Sequence, residues 1–208
     1  MNYYVHFSRK KPYLSRVNKK ERLSFARPRR KWDKKAWRGC IYTDEIKVEI
    51  GSGGARRKVR RRPGTGLEDR YLEPNLPGDE TRQMFWAAFT YGHHTPLVPI
   101  RQRTEKERVD GRDRLGFNSA QYVKEIVVPY LLPLYEECGG ADAGIQTIED
   151  GSRVHTSRYC NKFRRMNGIS RMPWPANSGD LNPIENVWAL FKRRFREACR
   201  DPRRRPRN

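Results

Sequence analysis

Apolar residues follow the two-residue period of strands in the first half of the chain. The segment CIYTDEIKVEI, at 40–50, is rich in strand-forming residues and predicts one strand. Two further apolar runs, at 84–92 and 96–100, predict a hairpin. The run GIQTIED, at 144–150, is typical of a short buried strand that ends on acidic residues.

The later part of the chain has the period of helices. Residues 119–135 form one such pattern, interrupted at Pro129, and residues 157–168 form a second. The clearest helix begins at Asn182, and its apolar side chains share one face: Ile184, Val187, Trp188, Phe191 and Phe195. Near the start, a short basic helix is predicted to stop at Pro28. This order of elements predicts a mixed α/β or α+β sandwich.

The net charge of +21 is concentrated at the two ends of the chain. Residues 1–38 carry a net +12 and residues 186–208 a net +7, whereas residues 39–185 carry only +2. Arginine outnumbers lysine by 32 to 13, and the guanidinium fork suits phosphate oxygens. The charge therefore favours a polyanionic partner, and it divides the chain into a nearly neutral body between basic ends.

Several classes of protein are excluded by the sequence. The longest apolar stretch, 126–135, contains two prolines and is too short to span a bilayer. The first residues lack the apolar core of a signal peptide. The four cysteines form no CxxC pair and no zinc-site spacing, which favours reduced thiols in an intracellular protein.

Three carboxylates lie within or at the ends of predicted elements. Asp44 lies within the first strand, Asp150 at the end of the strand in GIQTIED, and Glu185 in the first turn of the last helix. Strand ends of open α/β sheets line a crevice, and a helix that starts nearby would bring a third carboxylate to it. Oxygen ligands suit Mg²⁺, and two such ions about 4 Å apart would clamp an in-line phosphoryl transfer.

Each of these residues also has a purely structural interpretation. Asp44 is compatible with a half-exposed strand, and Asp150 followed by Gly151 is an ordinary turn dipeptide. Glu185 fits a capping box that begins at Asn182. The spacing alone leaves both interpretations open.

A motif at the last helix narrows the choice. The segment WPANSGDLNPIENVW resembles the WPxxSPDLNPIENLW signature of Tc/mariner-superfamily transposases. Four further segments resemble landmarks of that family and occur in its order: IYTDEIKVEI, MFWAAFTYGHHTPLVPI, FNSAQYVKEIVVPYLLPLY and IEDGSRVHTS. The resemblance covers about residues 8–196. Between Asp150 and Glu185 lie 34 residues, an interval typical of the family's Asp–Asp–Glu branch.

The resemblance implies an RNase H-like α/β fold, with a mixed central β-sheet and flanking helices. It also implies that Asp44, Asp150 and Glu185 are the catalytic residues and bind two Mg²⁺ or Mn²⁺ ions, with His155 flanking the site. The implied activity is DNA cleavage and strand transfer in transposition and DNA integration. Family members act as dimers on transposon-end DNA, so the implied partners are DNA and a second copy of the chain, without a membrane.

The resemblance further predicts how the chain is divided. Residues 1–38 correspond to the residual tail of a DNA-binding region, 39–200 to the endonuclease domain and 201–208 to a basic tail. The segment 51–80 lies where mariner relatives carry a clamp loop between subunits. Family members begin with helix-turn-helix units that read the transposon ends, and this sequence resembles the family only from near the end of that region. We therefore expect a fragment or remnant of a transposase, with weak or absent sequence-specific recognition of the ends.

Two positions depart from the family's motifs. Gly179 stands where the family has a proline, and we expect a looser loop there. The added entropy of the unfolded chain should lower the free energy of unfolding by less than about 1 kcal/mol. Arg153 adds a cation three residues after Asp150. It would either pair with that carboxylate and compete with a metal ion or contact a phosphate, and the second alternative is slightly favoured.

Basic side chains are the predicted contacts to the DNA backbone, in salt-dependent binding without sequence preference. They are Arg56, Arg57, Lys58, Arg60, Arg61, Arg62, Arg153, Lys192, Arg193 and Arg194. Basic runs at 28–35 and 202–207 would serve as nuclear localisation signals, so a nuclear location is expected. The alternative function is a catalytically inactive remnant that binds DNA non-specifically. A basic RNA-binding protein would explain the charge but not the DLNPIEN motif.

Overall fold

The computed structural model describes residues 14–50, 81–101 and 116–200 of the 208-residue chain. The helices are α1 (Arg16–Arg29), α2 (Lys34–Arg38), α3 (Ser119–Tyr122), α4 (Leu132–Glu137), α5 (Arg153–Thr156), α6 (Arg158–Met166) and α7 (Ile184–Arg200). The strands are β1 (Cys40–Ile50), β2 (Thr81–Phe89), β3 (Val98–Ile100) and β4 (Gln146–Ile148). A π-helix, Val123–Leu131, joins α3 to α4, and a 3₁₀ turn, Gly179–Leu181, precedes α7.

The sequence predicted no membrane-spanning segment and reduced cysteines. None of the helices in the described ranges has both the length and the apolar character needed to cross a membrane. The cysteines described, Cys40, Cys138 and Cys160, are free thiols.

The strands of the described chain form one mixed sheet in the order β3–β2–β1–β4. β1 pairs antiparallel with β2, and β2 pairs antiparallel with β3. β1 and β4 run parallel, with Tyr42 opposite Ile148. The sequence therefore predicted the strands, the hairpin and the mixed sheet correctly.

One face of the sheet packs against α7. The side chains of Tyr42, Ile46 and Val48 alternate along β1 and are buried in one cluster with Ile184 and Trp188. This burial of apolar surface holds the last helix against the central strand.

The predicted apolar face of α7 is correct except at Val187. Phe191 and Phe195 continue the buried positions of this helix and are partly buried, whereas Val187 is 44% exposed. With 3.6 residues per turn, Val187 lies about 60° from Ile184, on the side away from Trp188. It therefore sits at the edge of the face, where solvent reaches it.

The opposite face of the sheet packs against the helical segment 119–137. Ile41 of β1 and Trp86 of β2 are fully buried there, together with Tyr122, Ile126 and Leu131. The sheet is therefore covered by helices on both sides, as expected for an α/β layer structure.

Two prolines do not end their helices, contrary to the sequence prediction. Pro129 lies within the π-helix, which continues into α4. Proline donates no backbone hydrogen bond and its ring crowds a carbonyl in a regular α-helix, and the wider π turn relieves that crowding. Pro28 likewise lies inside α1, which runs on to Arg29.

The basic helix α1 is attached to the loop that precedes α7. Arg22 Nη1 and Nη2 donate to Asp180 Oδ1 and Oδ2 at 2.6 and 2.7 Å, a bidentate ion pair. Arg22 Nη1 also donates to Ser178 Oγ at 2.9 Å. One turn later, Phe25 meets Trp174 edge-on, with ring centroids 5.0 Å apart. The helix thus packs on the region that carries Glu185.

Replacing Arg22 by methionine is expected to lower the free energy of unfolding by about 1 kcal/mol, because a bidentate pair is lost at a partly exposed position. Arg22 holds the pKa of Asp180 below its ordinary value. The contribution is therefore present above the pKa of the unfolded carboxyl, about 4, and is lost as the pH falls through the lower folded pKa. Urea unfolding from neutral to acidic pH measures it.

The matched control is Arg27→Met, which removes the same charge from an exposed position of α1. An equal loss of stability in the two variants, or an Arg22 effect that does not shrink in acid, would contradict a stabilising role for the pair.

Candidate active site

The parallel pairing of β1 with β4 puts two of the predicted site residues side by side. Tyr42 is opposite Ile148, and Asp44 and Asp150 each lie two residues farther along in the same direction. Because the strands run in the same direction, both carboxylates follow at the same end of the paired segment. Asp44 is half-buried and Asp150 is exposed.

Asn182 attaches the start of α7 to this end of the sheet. Its Nδ2 donates to the carbonyl of Thr43 at 3.0 Å, and its Oδ1 accepts from the amide of Ile184 at 3.4 Å. Thr43 Oγ1 in turn donates to the carbonyl of Ile148 at 3.0 Å. These bonds bring the first turn of α7, which carries Glu185, to the strands that carry the two aspartates.

The three predicted carboxylates share one electrostatic environment. Burial is the main cause that raises the pKa of Asp44 to about 7. A hydrogen bond from the backbone of Glu45 opposes this shift, and the negative charges of Glu45, Glu185 and Asp150 add to it. Asp150 and Glu185 therefore both lie within electrostatic reach of Asp44.

Within residues 14–50, 81–101 and 116–200, no group of three His, Cys, Asp or Glu side chains is arranged to hold a metal ion. The donor set nevertheless fits a hard divalent cation, because all three predicted ligands are carboxylates. A cation would also offset the repulsion that raises the pKa of Asp44.

Asp150 is held by two residues that follow it in the chain. Its Oδ1 accepts from His155 Nδ1 at 2.7 Å and from the amide of Ser152 at 2.9 Å. The hydrogen bond with His155 is the main cause that lowers the pKa of Asp150 to about 2, and hydrogen bonds from the backbone and side chain of Ser152 add to it.

The main chain at Asp150 is fixed as well. Arg171 Nη2 donates to the carbonyl of Asp150 at 2.7 Å and to that of Glu149 at 3.1 Å. Arg171 itself is bridged to Thr147 of β4. The residue that follows the strand is therefore held in place by its backbone and by one carboxylate oxygen.

His155 lies buried between two carboxylates. Its Nδ1 contacts Asp150, and its Nε2 contacts Glu45 Oε1 at 3.1 Å. Burial lowers the pKa of His155, but the hydrogen bonds and charges of the acidic residues outweigh it and raise the pKa to about 10. At neutral pH the imidazole is therefore protonated, and both nitrogens donate. The residue predicted to flank the site is in direct contact with it.

Sequence reasoning missed Glu45 and recognised only half of the role of Asn182. Glu45 follows Asp44 along a strand, where alternation turns its side chain to the other face, and it reaches the site through His155. Asn182 was expected as a helix cap, and its second bond, to Thr43, joins residues 139 positions apart. The only local signal was the acidic dipeptide at 44–45.

The predicted DNA contacts within the described residues are all exposed: Arg153, Lys192, Arg193 and Arg194. Arg153 forms no ion pair with Asp150, because His155 and Ser152 bind that carboxylate instead. The remaining predicted contacts lie outside the described residues, in the segment 51–80: Arg56, Arg57, Lys58, Arg60, Arg61 and Arg62.

Gly179, one of the two departures from the family motif, lies against a predicted ligand. A Cβ at this position would lie 3.2 Å from Glu185 Oε1, which is closer than ordinary van der Waals contact. Glycine therefore leaves the carboxylate of Glu185 free to occupy this space.

The comparison with protein families identifies the domain. The DDE superfamily endonuclease family matches residues 40–204. The chain belongs to this family. The chain is 25% identical over 186 residues to the Tc1 transposase of Caenorhabditis elegans, and 26% identical over 188 residues to the Tcb2 transposase of Caenorhabditis briggsae. These alignments cover 89% and 90% of the chain but only 62% and 63% of the relatives. The chain thus spans about three fifths of their length.

Solved structures of a mariner transposase share the fold of this DDE domain. The Mos1 transposase paired-end complex with left transposon end superposes with a TM-score of 0.64 at 15% identity, covering 94% of this chain and 54% of that chain. The Mos1 catalytic domain with Raltegravir and Mg superposes with a TM-score of 0.53 at 13% identity, covering 88% and 74%. The resemblance to Tc/mariner transposases and the RNase H-like fold are confirmed.

Replacing Asn182 by alanine is expected to lower the free energy of unfolding by about 1–3 kcal/mol, because the buried carbonyl of Thr43 loses its donor. The control is Asn186→Ala, which removes the same amide from an exposed position of α7. Its expected effect is within about 0.5 kcal/mol. Urea unfolding measures both variants, and equal losses would show that the bond to Thr43 contributes nothing specific.

Proposed function

We propose that this chain carries the endonuclease and strand-transfer domain of a Tc/mariner-type transposase, which cuts DNA and joins the cut end to a new site. The observation that carries the proposal is that the parallel register puts Asp44 and Asp150 at one end of the β1–β4 pair, and that the first turn of α7, which carries Glu185, is attached to the same end. The parallel register, the bond from Asn182 to Thr43 and the raised pKa of Asp44 all support it. The relatives named above are transposases, which supports the same chemistry.

In this proposal Asp44 binds both of two divalent cations, and Asp150 and Glu185 bind one each. Bound there, Mg²⁺ or Mn²⁺ would supply Lewis-acid activation of a water or a 3′-hydroxyl, without a covalent enzyme intermediate. His155, bonded to Oδ1, would hold the carboxylate of Asp150 in place for this role. The Mos1 catalytic domain structures with Mg and Mn support the use of a divalent cation.

DNA is the proposed substrate and a second copy of the chain the proposed partner. Structures that share the fold are Mos1 complexes with paired ends, which supports both proposals. The exposed side chains of Arg153, Lys192, Arg193 and Arg194 would contact the phosphate backbone. The basic runs at 28–35 and 202–207 support a nuclear location.

A second candidate function is non-specific DNA binding without catalysis. The observation in its favour is that the described residues hold no three-residue group arranged for a metal ion. Both candidates require DNA binding, so only a cleavage assay separates them.

The full chain is expected to nick supercoiled plasmid DNA in the presence of Mn²⁺, and Asp150→Ala is expected to abolish nicking, because it removes a ligand of the cation. Conversion of supercoiled to open-circular plasmid on agarose measures the activity. The matched control is Asp142→Ala, at an exposed turn position, which should nick as the unaltered chain does. DNA binding without nicking by the unaltered chain would favour the second candidate.

Replacing Lys192, Arg193 and Arg194 together by glutamine is expected to weaken DNA binding and to flatten its salt dependence. Each lost phosphate contact lowers the slope of log K against log salt by about 0.9, so the slope should fall by about 3. Fluorescence anisotropy over a range of salt concentrations measures the slope. Lys124→Gln, exposed on the π-helix, is a control that should leave it unchanged. An unaltered slope in the triple variant would place the DNA elsewhere.

A further inference from the structure

A buried ion pair lies behind the strand end that carries Asp150. Glu149 is fully buried, and its Oε2 accepts from Arg164 Nη2 of α6. Tyr122 donates its hydroxyl to the same oxygen at 3.0 Å, and Thr147 Oγ1 donates to Oε1 at 3.2 Å. The carboxylate is therefore satisfied by three donors, as a buried charge requires.

Arg164 also holds the main chain of His155. Its Nη1 donates to the carbonyl of His155 at 2.7 Å, while Nη2 binds Glu149. The planar fork of the guanidinium thus joins the end of β4 to α5. The ring of Tyr122 packs beside the imidazole of His155, with ring centroids 4.5 Å apart.

Two routes lead from this ion pair to Asp150. Glu149 precedes Asp150 in the chain, so anchoring its side chain anchors the backbone from which the aspartate projects. His155, held through its carbonyl, donates to Asp150 Oδ1. Since α5 has only four residues, it is too short to be rigid alone, and the contact with Arg164 holds its main chain at His155.

Stability alone is a weak explanation for such a pair. Removing two charges from water is costly, and apolar side chains of similar volume often stabilise a core equally well. The pair lies next to Asp150, a proposed metal ligand, and is connected to it through the backbone of Glu149 and through His155.

We propose that Arg164 and Glu149 are positioning residues that orient His155 and Asp150 for binding of the divalent cation. Neither residue touches the reacting atoms. The inference rests on the proposed function for its metal-binding part, whereas its structural part concerns His155 alone.

Arg164→Lys separates the two contacts of the arginine. Lysine keeps a positive charge for Glu149, but its single ammonium cannot span the fork to the carbonyl of His155. The expected result is a folded chain whose His155 imidazole signals shift in ¹H–¹⁵N NMR spectra, with His155→Gln used to assign them. Calorimetric titration of the full chain with Mn²⁺ is expected to give about tenfold weaker binding, the size of effect usual for groups that orient metal ligands.

The matched control is Arg165→Lys, the same substitution at the next position of α6, where the side chain is exposed. It should leave the His155 signals and the Mn²⁺ affinity unchanged. Equal changes in the two lysine variants would overturn the proposal.

A charge-neutral double variant, Glu149→Gln with Arg164→Met, removes the buried charges, and the amide of glutamine can still accept from the Tyr122 hydroxyl and donate to Thr147 Oγ1. If it melts at the temperature of the unaltered chain but shows shifted His155 signals and weaker Mn²⁺ binding, the pair positions the site. Unchanged His155 signals together with unchanged Mn²⁺ affinity would show that the pair is only structural and would overturn the proposal. Shifted His155 signals with unchanged Mn²⁺ affinity would also overturn it.

Failure of the proposed function would be visible separately. An unaltered chain that neither binds Mn²⁺ nor nicks DNA would refute the metal-dependent activity. The NMR comparison of Arg164→Lys with Arg165→Lys would still decide whether Arg164 orients His155.

Discussion

The site depends on a short stretch of parallel pairing between β1 and β4. Residues 40–42 pair with residues 146–148, and this register sets Asp44 and Asp150 at equal distance beyond the last pair. A slip of one residue would turn one carboxylate to the other face of the sheet. The hydrogen bond from Thr43 Oγ1 to the carbonyl of Ile148 reinforces the register. The start of α7, with Glu185 in its first turn, is attached to the same strand, because Asn182 binds the carbonyl of Thr43.

The acidic side chains at the site repel one another, and cationic side chains offset the charge of some of them but not of all. His155 offsets the charges of Asp150 and Glu45, and Arg164 offsets that of Glu149. Among the residues that the structure describes, no cation pairs with Asp44, and burial together with repulsion raises its pKa to about 7. A divalent ion at Asp44 would offset this burial and repulsion, and Asp44 is the residue proposed to bind both metal ions.

The sequence predicted the elements well and the connections between them poorly. Periodicity located β1, β4 and α7 because each has a regular apolar face, and the motif resemblance located the three carboxylates. The contacts that organise the site depend on tertiary structure: Arg164 binds Glu149 across 15 positions, and Glu45 binds His155 across 110. Local patterns do not encode such distances. The predicted break at Pro129 was wrong for a related reason, because packing against the sheet stabilises a π-helix that local rules disfavour.

Some of the arginines that contribute to the net charge of +21 make contacts within the protein, which composition does not reveal. Arg22 binds Asp180, and Arg29 lies over the ring of Phe25, 3.9 Å from its centroid. Arg164 and Arg171 bind the backbone around the site. Some arginines of this chain therefore hold the structure together through several hydrogen bonds or ring contacts, besides contributing surface charge. Lys192, Arg193 and Arg194 have exposed cations and form no ion pair with an acidic side chain of the described ranges, so they remain for DNA. They lie on the helix whose first turn carries Glu185. DNA bound along α7 would therefore be led towards the proposed site.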